Sequence, residues 1–204
     1  MKLVVLGATG GTGLKVIEQA IERGHSVTAF VRDPKRLKVF GRRISVVEGD
    51  LLAQPELETV IQQHDAVLSG FGPHGDGTGA WRRFALALTD AMRNTGVSRA
   101  VILSVAFLFK DLIIPPAFLF GRLFFRNTVI GASQMENVFM HSGLDWTIIR
   151  PPRLTDRPYT GRYRFREGHL PTLGFTISRA DVADFMIRTA ENRSSVGKIV
   201  GVCN

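Results

Sequence analysis

Lys2-Leu3-Val4-Val5-Leu6 runs without a break into Gly7-Ala8-Thr9-Gly10-Gly11-Thr12-Gly13, after which Leu14, Ile17, Ala20 and Ile21 recur at helical spacing. An apolar β-rich run, a glycine loop and an amphipathic pattern, in that order, make a strand, a tight turn and a helix. The first-turn N–H groups of such a helix have no acceptor within it and point at whatever fills the loop. Glycine at 7, 10 and 13 permits positive φ, admits phosphate oxygens close to the backbone and lets the helix lie tightly on its strand. The spacing is G-x-x-G-x-x-G, and no Gly-Lys-Ser/Thr closes it, which argues against a Walker-type ATP loop. A dinucleotide pyrophosphate is the expected occupant, held by Gly7, Thr9, Gly10, Gly11, Thr12 and Gly13.

Beyond the loop, apolar runs and helical patterns alternate along nearly the whole chain. Strands are expected at Lys2–Leu6, Ser26–Val31, Ile44–Glu48, Ala66–Ser69, Ala100–Ser104, Thr147–Arg150 and Lys198–Val202, seven in one sheet. Helical spacing joins Leu57, Val60 and Ile61, then Phe84, Leu88, Ala91 and Met92, then the stretch Gln134 to His141, which leads into Gly143 as a stop. Ser178, with Asp181 three residues on, opens a last helix through Thr189. This order predicts an α/β fold: a Rossmann-like, doubly wound parallel sheet in a three-layer α/β/α sandwich, with residues 1–204 as a single domain.

Roughly 20 residues past the glycine loop, at the end of the second strand, dinucleotide proteins select their cofactor: an acid for the ribose hydroxyls, arginine for a 2′-phosphate. Here the strand ends Val31-Arg32-Asp33-Pro34-Lys35-Arg36. Arg32 stands at the selecting position with Arg36 nearby, and a guanidinium fork suits phosphate, so NADP(H) is the expected cofactor. Asp33, one residue on, is the competing acceptor for a ribose.

With 204 residues, 45% hydrophobic and 22% charged, the chain has the composition of a folded globular domain. Its 26 Lys+Arg against 18 Asp+Glu favour acidic ligands, but the basic residues are scattered and no nucleic-acid module accompanies them, so no nucleic-acid partner is expected. A single cysteine, Cys203, excludes an intrachain disulfide and a thiolate zinc cluster, and no His/Cys spacing suggests a metal. Lys110, Asp111, Pro115, Pro116 and Arg122 break up the apolar stretch from Phe107 to Phe125, against a membrane span, and no export signal is read at Met1. A reducing, cytoplasmic setting is expected.

Several separated stretches resemble the atypical short-chain dehydrogenase/reductases, in the NmrA-like and biliverdin-IXβ/flavin reductase branch. They are Gly7–Gly13, Val31-Arg32-Asp33-Pro34, Glu48-Gly49-Asp50-Leu51, Ser142-Gly143-Leu144-Asp145-Trp146-Thr147-Ile148-Ile149-Arg150-Pro151-Pro152 and Ile177-Ser178-Arg179-Ala180-Asp181-Val182-Ala183. The resemblance implies that Asp50 and Leu51 lie against the adenine and that Ser69, Gly70, Phe71 and Gly72 line the adenosine side. It also implies that Ser104 and Val105 approach the nicotinamide ribose, and that Arg150, Pro151 and Pro152 wall the nicotinamide.

That family usually places a Tyr four residues before a Lys as its general acid, and this chain lacks the pair: its tyrosines are Tyr159 and Tyr163, and the corresponding window holds Thr128 and Ala132. Ser104 is the remaining candidate for a catalytic group, with His74 a weaker proton donor in its glycine-rich loop. Two readings stand. One is an NADPH-dependent reductase of a flat, conjugated small molecule of flavin, quinone or tetrapyrrole type, in which the cofactor carries the chemistry. The other is a non-catalytic NADP(H) sensor of the NmrA-like type. Phe107, Phe109, Phe118, Phe120, Phe124 and Phe125, with Leu108, Leu112 and Leu119, make residues 106–127 a substrate-side segment or the contact surface of a homodimer.

Overall fold

A computed structural model describes residues 1–72, 78–109 and 124–204. His74 and residues 110–123, including Leu112, Phe118, Leu119 and Phe120, lie outside the described residues. Among those described, the strands are β1 (Lys2–Leu6), β2 (Ser26–Val31), β3 (Ser45–Glu48), β4 (Ala66–Ser69), β5 (Arg99–Leu103), β6 (Asp145–Arg150), β7 (Arg153–Thr155), β8 (Arg164–Glu167), β9 (Thr176–Ser178) and β10 (Lys198–Cys203). The α-helices are α1 (Gly11–Glu22), α2 (Gln54–Ile61), α3 (Gly79–Thr95), α4 (Arg126–Met140) and α5 (Arg179–Glu191).

Eight strands form one sheet in the order β3-β2-β1-β4-β5-β6-β10-β8, parallel throughout except for β8, which runs antiparallel to β10 at the edge. β7 and β9 make a separate parallel pair. Central strands flanked by helices on both faces are apolar on both sides: β4 and β5 are buried at every position. One core layer packs Val16, Ile17 and Ala20 of α1 and Val182, Met186 and Ile187 of α5 under β1 and β2. The other packs Leu57 and Ile61 of α2, Phe84 and Leu88 of α3, and Met135 and Phe139 of α4 over β4 and β5. The order reverses between β1 and β4, which opens a crevice at the carboxyl ends of the strands. Among the described residues no helix is long and apolar enough to cross a membrane.

The doubly wound sheet is as the sequence predicts, but it has eight strands instead of seven. β8, Arg164-Phe165-Arg166-Glu167, is exposed along its whole length, so it carries no buried face for a hydrophobic pattern to reveal. β5 begins at Arg99, one residue before the expected start, because this arginine is buried. Its guanidinium donates to the Asp145 carbonyl (2.7 Å), Thr147 Oγ1 (2.9 Å) and the Thr189 carbonyl (2.5 Å). α4 begins at Arg126, eight residues before Gln134, and its first turns present Arg126, Asn127 and Thr128 in place of an apolar stripe.

Ser178 caps α5 as expected, accepting from the Asp181 N–H at 2.9 Å. The fully buried Asp181 carboxylate in turn accepts from the Ser178 hydroxyl (2.8 Å), the Thr160 and Gly161 N–H groups (2.9 Å each) and the Asn204 side-chain amide (2.9 Å). Burial opposes its ionisation, but these donors outweigh burial and hold the carboxyl below its ordinary value of 3.8. A carboxyl depressed in the folded state contributes stability that is present above its unfolded pKa and lost as pH falls through its folded one. Urea midpoints measured from pH 6 to pH 3 should therefore decline, and Asp181→Asn should lower the pH 6 midpoint and flatten that decline.

Candidate functional site

At the carboxyl end of β1 the chain turns through Gly7, whose φ of +69° suits glycine, and Gly10 N–H donates to the Gly7 carbonyl at 3.0 Å. The first turn of α1 closes with Leu14 N–H on the Gly10 carbonyl at 2.9 Å. Gly10 caps the helix without a side-chain acceptor, and no acid stands in the first turn. The N–H groups of Gly11, Thr12 and Gly13 consequently find no acceptor among the described residues. A row of unused donors at a helix N-terminus, with the positive end of the helix dipole behind it, is complementary to an anion.

At Gly7 and Gly13 the loop is also packed to a tolerance that only glycine meets. A Cβ at Gly7 would lie 2.8 Å from the Gly70 carbonyl carbon and 2.9 Å from the Phe71 nitrogen, and one at Gly13 would collide with the Gly7 carbonyl oxygen. The turn after β1 is thus pressed directly against the turn after β4, where Ser69, Gly70, Phe71 and Gly72 lie. Gly70 N–H donates to the Leu6 carbonyl (3.0 Å), and Ser69 Oγ accepts from Phe71 N–H (3.3 Å). The Phe71 ring rests on Phe84, centroids 4.3 Å apart, and meets the edge of Trp81. These observations fit a pyrophosphate seated at the β1/β4 crevice on Gly7–Gly13.

At the end of β2, Arg32 and Arg36 are exposed and neither guanidinium has a partner among the described residues. Asp33 is occupied: its carboxylate caps the following 3-10 turn by accepting Lys35 N–H at 3.0 Å and pairs with Lys35 Nζ at 3.3 Å. The Lys35 N–H bond in particular holds the carboxyl below its usual range. After β3, Asp50 is exposed and accepts Leu52 N–H at 3.0 Å in a turn, while Asp50 N–H donates to Glu56 Oε2 at 2.8 Å. The Leu51 side chain belongs to the core.

The ends of β5 and β6 are stitched together by Ser104 N–H on the Ile149 carbonyl (2.7 Å) and Ala106 N–H on the Pro151 carbonyl (3.0 Å). This brings Ser104 and Val105 beside Arg150, Pro151 and Pro152. Between them, from α4, comes Glu136, only 2% exposed, which sequence reasoning missed. It accepts the Ser104 hydroxyl at 2.5 Å and takes Arg150 in a two-point clasp, Nε to Oε1 at 3.0 Å and Nη2 to Oε2 at 2.5 Å. The Arg150 guanidinium also lies over the Phe109 ring, 4.8 Å from its centroid. No local spacing links a glutamate on a helix to a strand end 14 residues later, and only a lone acid amid Met135 and Phe139 hinted at burial.

This clasp fixes the orientation of Ser104. Its hydroxyl donates to Glu136, which leaves the Ser104 oxygen lone pairs to accept further hydrogen bonds. Tyr163 donates to Asp184 Oδ2 at 2.5 Å, and burial together with that carboxylate raises its pKa well above the ordinary phenol value. Tyr159 lines a groove with Lys15, Glu18 and Arg157. Of the aromatic segment, Phe109 is buried under Arg150, whereas Phe124 and Phe125 are exposed and Phe125 stacks on Phe107. Glu136→Ala should destabilise the fold by about 3 kcal/mol, because it strands Arg150 among apolar groups; chemical denaturation measures this directly.

Comparison with known proteins bears on the family and the fold. An uncharacterised chloroplast protein of Arabidopsis thaliana is 31% identical over 98% of this chain and 76% of its own length. Among solved structures, an anaerobillin reductase of Escherichia coli O157:H7 superposes with a TM-score of 0.85 at 19% identity, covering 100% of this chain and 97% of that one. A short-chain dehydrogenase/reductase of Veillonella parvula, in complex with NADP, superposes with a TM-score of 0.83 at 20% identity, covering 100% and 94%. These likenesses establish a Rossmann-like fold. Residues 7–193 match the model of the NAD(P)H-binding family, and the chain belongs to that family.

Proposed function

We propose that the protein is an NADPH-dependent reductase of a flat, conjugated small molecule of flavin, quinone or tetrapyrrole type. The observation that carries the cofactor choice is at the end of β2. Asp33 caps its turn and pairs with Lys35, while Arg32 has no partner among the described residues and Arg36 is close in sequence, so the end of β2 offers cations to a 2′-phosphate. The fold is shared with an anaerobillin reductase and with a protein crystallised with NADP, which supports both halves of the reading.

Bound NADPH supplies a hydride from its nicotinamide; the protein's own residues bind, orient and shield. The N–H groups of Gly11, Thr12 and Gly13 take the pyrophosphate, and Arg32 takes the 2′-phosphate, assisted by Arg36. Asp50, Ser69, Gly70, Phe71 and Gly72 flank the adenosine half. Ser104, its orientation set by Glu136, accepts a hydrogen bond from the ribose or carboxamide of the nicotinamide half. Val105, Pro151 and Pro152 provide an apolar wall against water, and Glu136 with Phe109 keeps the Arg150 cation from turning into that space.

The same bond of Ser104 favours a second reading, an NADP(H)-binding sensor that turns nothing over, since the hydroxyl hydrogens of both Ser104 and Tyr163 are held by carboxylates. Aerobic and anaerobic oxidation of NADPH against a panel of flavins, quinones and tetrapyrroles separates the two. Turnover of a panel member supports the reductase; saturable NADPH binding without any turnover replaces it with the sensor.

A further inference from the structure

Arg179, the first residue of α5, reaches across to the glycine loop. A Cβ at Gly11 would lie 2.8 Å from Arg179 Cδ, 2.9 Å from its Nε and 3.7 Å from its Cζ, so the side chain lies flat over the first turn of α1. Its backbone is held firmly, because Ser178 caps α5 through Asp181. The placement is electrostatically odd. A guanidinium sits against the positive ends of two helices, its own α5 and the neighbouring α1, where cations are disfavoured and anions favoured. The compensating partner is Asp156, 2.7 Å from Nη1, and this carboxylate is 87% exposed and engages one nitrogen of the fork. Exposed pairs of this kind are weak. Arg179 Nε and Nη2 have no acceptor among the described residues, and Nε lies against Gly11, the first residue of the helix whose leading N–H groups are unused.

We propose that Arg179 is a pyrophosphate-binding residue, which exchanges Asp156 for the phosphate oxygens when a dinucleotide enters the Gly7–Gly13 loop. This rests on reading that loop as the dinucleotide site. Because the pyrophosphate is common to both cofactors, Arg179 acts on NADPH and NADH alike, unlike Arg32. Asp156 is its competitor, and removing the Asp156 charge favours the bound state.

Fluorescence titration of NADPH and NADH into the wild-type protein, Arg179→Ala and Asp156→Asn tests the exchange, with the thermal melting of each cofactor-free protein recorded alongside. Arg179→Ala should weaken both dinucleotides by the same factor, about tenfold, with melting unchanged. Asp156→Asn should tighten both by about two- to threefold. Unchanged affinities in Arg179→Ala, or a loss confined to NADPH, overturn the assignment while leaving the loop reading in place. If the wild-type protein binds neither dinucleotide, the loop reading fails and the assignment with it. Should Arg179→Ala fail to fold, Asp156→Asn decides, and unchanged or weaker binding in that variant overturns the exchange.

Discussion

Gly10→Val should abolish measurable dinucleotide binding while leaving the protein folded. Gly10 is exposed, its φ of −73° and ψ of 159° are open to any residue, and among the described residues a Cβ there would meet only the Gly7 carbonyl oxygen, at 3.1 Å. The protein itself therefore tolerates a side chain with small adjustment. A phosphate does not, since an isopropyl group would occupy the space in front of the Gly11, Thr12 and Gly13 N–H groups. Losing several charge-assisted hydrogen bonds together weakens affinity by at least about a hundredfold. Gly13→Ala is the contrasting variant: its Cβ collides with the loop's own backbone, and it should lose stability as well as binding. NADPH titration paired with thermal melting distinguishes the two, and retained binding in Gly10→Val would place the dinucleotide elsewhere.

Arg32→Glu should invert the cofactor preference. It removes the cation opposite the 2′-phosphate and sets a carboxylate there, so NADPH suffers a lost ion pair and a new repulsion, about a hundredfold in affinity. NADH carries no 2′-phosphate, and its ribose hydroxyls can donate to the new glutamate; its affinity should hold or improve. Equal losses for both dinucleotides would mean that Arg32 contributes only to a general basic surface formed with Lys35, Arg36 and Lys38.

The parts of this molecule that were legible in the sequence are those built from neighbours in the chain. The glycine loop lies between a strand and a helix, and the Ser178 cap engages Asp181 three residues on, so each can be read locally. The parallel sheet followed from alternating elements with buried faces. What escaped notice depends on contacts between residues far apart. β8 has no apolar face, and only its pairing with β10 makes it a strand. Arg99 begins β5 as a buried cation because the Asp145 and Thr189 carbonyls, 46 and 90 residues away, receive it. Glu136 reads as an ordinary surface acid on a helix until β5 and β6 bring Ser104 and Arg150 to it. The same limit applies to Arg179, which the α1–α5 packing carries to Gly11. Composition at the strand ends pointed to a candidate site, while proposing roles for its residues required knowing which hydrogen bonds were already made.

The most direct test of the account is a parallel titration of the wild-type protein with NADPH and NADH, followed by nucleotide fluorescence at one ionic strength. The account predicts saturable binding of both, with NADPH tighter by at least about tenfold through the 2′-phosphate contact with Arg32. Equal affinity, or tighter binding of NADH, would contradict the selecting role of that arginine, and the absence of saturable binding for either would contradict the assignment of the crevice itself.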